Sequence, residues 1–233
     1  MAHPENYTPL ENARFERKFV AHQSFSYVEQ LIKLNPGGFR PIFEKRQINN
    51  VYFDTPNLNN YYDNHFGKAH RKKLRIRWYG NPEKTAENPV LEFKIKKGMS
   101  GLKESYPLPP LELKDLNFQD KWQSYLKKAE LPDDVLYQLL NLRPVLLNSY
   151  ERKYYKSFDN HYRVTLDFNL RFFNLMRSVL EKSIAKQPIV LELKYDMDKD
   201  NAAAKISAAL PFRLGKFSKY AVGVECFHKH LAL

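Results

Sequence analysis

The chain has 233 residues, 43% of them hydrophobic, enough to bury a sizeable core and to make one large domain over residues 1–233. Lys and Arg number 38 against 26 Asp and Glu, a formal net charge of +12, which directs attention to anionic partners such as nucleic acid, a membrane surface or a phosphorylated small molecule. The single cysteine, Cys226, excludes a disulfide framework and a thiolate zinc site. No apolar run approaches the ~18 residues of a membrane span. No apolar segment near the N-terminus reads as a signal peptide, so the expectation is a soluble, cytoplasmic protein.

Taken in chain order, residues 14–20 read as a strand. Ser24 caps a helix to about Leu34, which Asn35, Pro36, Gly37 and Gly38 stop. Residues 46–54 carry the β-formers Ile48, Val51, Tyr52 and Phe53, and residues 57–66 form a short helix ended by Gly67. The most regular strands follow, at 71–79 and 90–97, with a hairpin-length link at 98–101 to a strand over 102–108. Two helices are expected near 118–130 and 133–141. Strands resume at 145–157 and 162–173, joined by a turn at Asp159 and Asn160, and again at 189–195. Helices over 202–210 and 220–233 complete an α+β pattern, mainly antiparallel β with interspersed helices.

Side chains alternate faces along a strand. Arg71, Lys73, Arg75 and Arg77 therefore share one face, with Leu74, Ile76 and Trp78 on the other. Glu92, Lys94 and Lys96 oppose Leu91, Phe93 and Ile95; Arg163, Thr165, Asp167 and Asn169 oppose Tyr162, Val164, Leu166 and Phe168. Glu192 and Lys194 oppose Ile189, Leu191 and Leu193, and Glu16 and Lys18 oppose Phe15 and Phe19, with Arg17 out of pattern. One reading is a sheet with an ordinary wet face. The other is a barrel whose charged faces converge inside, under helices that cover the apolar outside. Four cations on one face of one strand repel one another unless anions sit between them, which suits a multiply charged phosphate ligand. The few carboxylates would suit a divalent cation bridged to phosphate oxygens.

Other motifs are weaker. Asp196-Met197-Asp198-Lys199-Asp200 starts like a calcium loop but has Asn201 at the sixth position and Ser207 at the twelfth, so it reads as a plain loop. Gly215-Lys216 lacks the earlier glycine of a phosphate-binding loop. His228-Lys229-His230 reads as a solvated helix end and Cys226 as packing.

Several segments together resemble the polyphosphate polymerase domain of the vacuolar transporter chaperone (VTC) family, of the triphosphate-tunnel, CYTH-like superfamily. They are Arg46-Gln47-Ile48-Asn49-Asn50-Val51-Tyr52-Phe53-Asp54, Leu74-Arg75-Ile76-Arg77-Trp78-Tyr79-Gly80, Glu92-Phe93-Lys94, Gly101-Leu102-Lys103-Glu104-Ser105, Tyr150-Glu151-Arg152, Arg163-Val164-Thr165-Leu166-Asp167, Leu191-Glu192-Leu193-Lys194 and Lys216-Phe217-Ser218-Lys219-Tyr220. The resemblance implies an eight-stranded antiparallel β-barrel with a charged bore and helices packed outside. It implies transfer of the γ-phosphate of ATP to a growing inorganic polyphosphate chain, with Mn2+ or Mg2+. Carried over by position, Lys18, Arg75, Arg77, Lys94, Lys103, Arg152, Arg163, Lys216 and Lys219 would hold phosphates, aided by Tyr150 and Ser218. Arg75, Arg77, Lys94, Arg163, Glu192 and Lys219 would carry catalysis, and Glu192 would hold the metal.

The wider tunnel enzymes begin with Glu-x-Glu-x-Lys. Here Glu16-Arg17-Lys18 keeps the last half and Arg14 stands at the first glutamate position, which weighs against hydrolysis. The expected partners are ATP, polyphosphate, triphosphate or other oxyanions, with any coupling to a membrane supplied by a partner. The rival readings are a module that binds polyphosphate or inositol phosphates without turnover, and a triphosphate hydrolase of the same fold. Nucleic acid fits less well, because acids are interleaved with the bases on the same strand faces.

Overall fold

The computed structural model describes residues 14–97, 100–113, 119–176, 181–183 and 187–228. The strands are β1 (Arg14–Ala21), β2 (Arg40–Asp54), β3 (His70–Tyr79), β4 (Val90–Lys97), β5 (Ser100–Pro107), β6 (Arg143–Lys156), β7 (Arg163–Asn174), β8 (Glu181–Lys182), β9 (Ile189–Asp196) and β10 (Arg213–Leu214). The helices are α1 (Phe25–Lys33), α2 (Asn59–His65), α3 (Gln119–Leu126), α4 (Asp133–Leu140), α5 (Asp200–Ala208) and α6 (Lys219–Phe227). Hydrogen bonding orders the strands β10-β1-β9-β7-β6-β2-β3-β4-β5, with β8 on β7. All eight expected strands are present, joined by two two-residue strands too short to leave a periodic signal. The path is open at β10 and β5, so the described pairings form an antiparallel sheet and not a closed ring of eight.

The chain folds into two compact units. The first comprises Met1–Glu44, Lys153–Asp167 and Pro188–Phe217. Here β1 pairs with β9 over its whole length, from Arg14↔Asp196 to Ala21↔Ile189. Ser24 caps α1 by accepting a hydrogen bond from the Tyr27 amide, and α1 buries Val28 and Ile32. The Asn35 side chain ties the end of this helix to the Ile206 carbonyl of α5. Arg17, the residue out of pattern, lies on the apolar face for a reason. Its guanidinium donates to Tyr195 Oη at 2.6 Å, Ser207 Oγ at 3.0 Å and Asp200 Oδ1 at 2.7 Å. The segment read as a plain loop is instead a 3-10 turn and the start of α5, and Asp200 serves Arg17.

The second unit comprises Lys45–Arg152, Phe168–Gln187 and Ser218–Leu233. Its core is the apolar side of the alternation: Val51 and Phe53 of β2, Leu74, Ile76 and Trp78 of β3, and Leu91 and Phe93 of β4. Trp122 and Leu126 of α3 and Val135 and Leu139 of α4 cover this face, and the Trp122 ring lies 4.8 Å from that of Phe53. Each fully buried side chain of this kind contributes about 1.5–3 kcal/mol relative to exposure.

Helix α6 breaks the expectation that every helix packs outside. It lies on the polar side of β2 and β6, where Tyr220 stacks on Tyr52 at 5.1 Å and its hydroxyl donates to Asp54 Oδ2. Small residues permit the approach. A Cβ on Gly223 would stand 2.3 Å from Leu146 Cδ2 and 2.8 Å from Phe172 Cδ1, both on buried side chains.

Element ends differ from expectation where burial gives no signal. Strand β2 starts at Arg40, because residues 40–46 are largely exposed and show no buried alternation. Helix α3 ends at Leu126, where the amides of Lys128 and Ala129 turn back to the carbonyls three residues earlier. Helix α6 ends at Phe227. The link at residues 98–99, the expected helix start at 118 and the tail at 229–233, with Lys229 and His230, lie outside the described residues.

Gly223→Ala should destabilise the protein. Overpacking costs about 1–3 kcal/mol, against about 1 kcal/mol gained from replacing a helical glycine, and a 2.3 Å contact places the cost at the high end. We expect a melting temperature lower by several degrees by calorimetry. An unchanged value would mean that α6 is not seated on Leu146 and Phe172.

Candidate functional site

In the second unit the polar face of β3 and β4 converges on Glu92, which is only 7% exposed. Its partner across the ladder is Arg75, and Ser105 of β5 lies on its other side. Glu92 Oε2 accepts Arg75 Nε at 2.7 Å and Arg75 Nη2 at 2.6 Å, with Arg77 Nη1 at 3.8 Å. Its Oε1 accepts Lys103 Nζ at 2.8 Å. Burial alone would raise the Glu92 carboxyl, but Arg75, Arg77 and Lys103 outweigh it and hold it down from the ordinary 4.5 to about 2. Arg75 is raised despite its burial, through Tyr52 and Glu92. Arg77 is aimed by an amide pair: its Nε donates to Asn50 Oδ1 at 2.9 Å, and Asn50 Nδ2 donates to Asn148 Oδ1 at 2.8 Å.

Register places Lys73, Lys94 and Lys103 side by side on β3, β4 and β5. Lys73 Nζ donates to Ser218 Oγ at 3.0 Å, and Ser218 caps α6 through the Ala221 amide. Lys219 Nζ and the Arg152 guanidinium lie 4.7 and 5.5 Å from the centre of the buried Tyr150 ring. The structure therefore gathers Arg75, Arg77 and Lys103 on Glu92, and Tyr150, Arg152 and Lys219 on one another. Lys94 sits in the lysine row and is exposed.

The first unit holds a second cluster. Lys18 faces Glu192 across β1 and β9, with Nζ 3.2 Å from Glu192 Oε1 and 2.8 Å from Glu16 Oε1. Lys194 Nζ lies 3.2 Å from Glu192 Oε2 and 3.7 Å from Glu16 Oε2. Lys18 is raised although burial opposes it, because Glu192 and Glu16 both hold its charge. Arg163 is the ladder partner of Lys194 and is exposed. Lys216 is exposed and follows Gly215, whose amide donates to the Lys18 carbonyl at 2.9 Å.

Glu92, Asn50, Asn148 and Tyr52 were not singled out from sequence. Glu92 had a signal in the alternation, as the one acid among the cations of β3 and β4; the asparagines had none, because an amide on a strand reads as turn chemistry.

A family model for the VTC domain matches residues 3–228. The chain belongs to the VTC domain family. No curated protein matches it. Among solved structures, this VTC domain is similar to HpAC1 from Hippeastrum, described as an adenylyl cyclase candidate with a dominant triphosphatase activity, at 17% identity and a TM-score of 0.53, covering 90% of this chain and 94% of that one. It is similar to the PH1819 protein of Pyrococcus horikoshii OT3, at 15% identity and a TM-score of 0.52, covering 91% and 99%. It is also similar to an adenylate cyclase candidate from Bacillus halodurans, at 17% identity and a TM-score of 0.50, covering 89% and 94%. At these identities the likeness is one of fold alone.

Among the described residues, no group of three or more His, Cys, Asp or Glu side chains in the VTC domain is placed to hold a metal ion. Glu16 and Glu192 share Lys18, and Thr165, the ladder partner of Glu192, has a buried Oγ1 without a hydrogen-bond partner. Such hard oxygens fit Mg2+ or Mn2+ where phosphate oxygens complete the shell. No helix among the described residues is long and apolar enough to cross a membrane.

The Glu92 pairing has a signed consequence for pH. A carboxyl held below its ordinary value stabilises the fold above pH 4.5, and that stabilisation is lost as pH falls through about 2. Melting temperatures between pH 5 and 2 should therefore fall more steeply for the wild type than for Glu92→Gln. Parallel acid limbs would mean that Glu92 does not carry this charge.

Proposed function

We propose that this VTC domain transfers the γ-phosphate of ATP to a growing polyphosphate chain. The observation that carries the reading is the convergence of Arg75, Arg77 and Lys103 on one buried carboxylate, in a chain that belongs to the VTC family. Phosphoryl transfer needs positioning and charge neutralisation more than covalent chemistry. Arg75 and Arg77 grip phosphate oxygens in pairs, while Lys94, Lys103, Arg152 and Lys219 supply further positive charge with Tyr150 and Ser218 as hydrogen-bonding partners. Lys18, Arg163 and Lys216 do the same in the first unit. The attacking group is a terminal phosphate oxygen of the acceptor chain, already anionic at neutral pH, so no general base is required. A new P–O bond forms to the γ-phosphorus, the bond to the bridging oxygen breaks, and ADP departs with the electron pair. Bound Mn2+ or Mg2+ would neutralise charge on the transferring phosphates, held by Glu192 with Glu16 beside it. The reading includes the single functional domain over residues 1–233 that the resemblance implies, and a cytoplasmic site of action with any membrane role supplied by a partner.

A triphosphate hydrolase is the second reading. The triphosphatase activity described for HpAC1 favours it, and it differs only in taking water as the acceptor. One incubation separates the readings: purified protein with ATP and Mn2+, products resolved on a polyphosphate gel. A ladder of chains is expected. Free phosphate without a ladder identifies the hydrolase, and unchanged ATP leaves a binding module.

Glu192→Gln discriminates metal ligation from a structural ion pair. Gln keeps the shape but loses the charge a hard cation requires. We expect metal-dependent turnover to fall by at least about 100-fold, with tripolyphosphate affinity held or raised. A variant that melts lower and retains normal metal-dependent turnover would place Glu192 in a structural pair with Lys18 and Lys194.

A further inference from the structure

Glu92 is an unusual residue to bury at a phosphate site, since its charge opposes the ligand's. An ordinary structural ion pair needs one cation. Glu92 has three, from two strands: Arg75 on two donors, Lys103 on its other oxygen, and Arg77 at 3.8 Å. Both guanidiniums are held by their Nε edges, Arg75 on Glu92 and Arg77 on Asn50. The side chain of Glu92 is 8% exposed, so little solvent screens it from these partners.

We propose that Glu92 is the resident anion of the phosphate site, a positioning residue that keeps Arg75, Arg77 and Lys103 converged before the ligand arrives and limits how tightly a phosphate chain is then held. The proposal rests on the phosphate-binding reading above and assigns a role within it. Without a counter-charge, Lys73, Arg75, Arg77, Lys94 and Lys103 would repel one another across three adjacent strands. The carboxylate offsets that repulsion and fixes where the guanidiniums point. A phosphate chain set against Arg75 and Arg77 then lies within a few ångströms of a desolvated negative charge, and each of its own charges is repelled. A chain that must be extended and released step by step is served by such a limit on affinity.

Glu92→Gln keeps the size and an acceptor oxygen for Arg75 while removing the repulsion. Several ligand charges act against one carboxylate, whereas at most two or three hydrogen bonds are weakened, so the repulsion is the larger effect. Tripolyphosphate should bind about tenfold more tightly, or better, to the variant than to the wild type. A purely structural ion pair gives the opposite sign, equal or weaker binding.

The test is calorimetric titration of sodium tripolyphosphate into wild type and Glu92→Gln at low salt, with melting temperatures taken with and without ligand. Tighter binding by the variant supports the proposal, and equal or weaker binding overturns it. If the variant does not fold alone, folding on addition of tripolyphosphate supports the proposal, because the ligand then replaces the missing anion; a variant unfolded in both conditions overturns it. A wild type with no affinity for tripolyphosphate overturns both the phosphate reading and this proposal, whereas a binding wild type with a weaker variant overturns this proposal alone.

Discussion

The period of two along β3 forces a choice that the rest of its unit obeys. Every apolar residue sent to the core under α3 and α4 puts a basic residue on the opposite face, so burying Leu74, Ile76 and Trp78 also lines up Lys73, Arg75 and Arg77. Like charges two residues apart on one strand face repel, and the neighbouring strands add Lys94 and Lys103 to the row. Where an ordinary wet face would disperse Thr and Ser, Glu92 meets Arg75, Arg77 and Lys103. Glu92 leaves the cluster positive and engages Arg75 through two donors and Lys103 through its other oxygen.

The first unit answers the same problem with a different ratio. Glu16 and Glu192 face Lys18 and Lys194, two acids to two bases, on the same register of β1 and β9. The surplus of cations around Glu92 thus contrasts with the paired acids and bases around Glu192.

Much of this was legible in the sequence because it depends on alternation. The eight long strands, the cationic face of β3 and the carboxylate at Glu192 all follow from which residues recur at every second position, and the VTC resemblance rests on the same segments. What depends on a second element was not legible. Arg17 looked like a break in pattern because its partner, Asp200, lies on α5 far along the chain. Helix α6 was expected outside, since nothing local reveals that Gly223 faces Leu146 and Phe172 or that Tyr220 reaches Asp54. That Asn50 pairs with Asn148 and aims Arg77 depends likewise on strands far apart in the chain. The open path from β10 to β5 turns on pairings between strand ends, which periodicity does not address.

The central claim is that the cationic face around Arg75 and Arg77 is where a phosphate chain is held. A crystal structure of the protein soaked with tripolyphosphate tests it most directly. The account expects phosphate oxygens within hydrogen-bonding distance of the Arg75 and Arg77 guanidiniums, on the polar face of β3. Ordered tripolyphosphate bound elsewhere, with Arg75 and Arg77 still engaged only by Glu92, Tyr52 and Asn50, would contradict it.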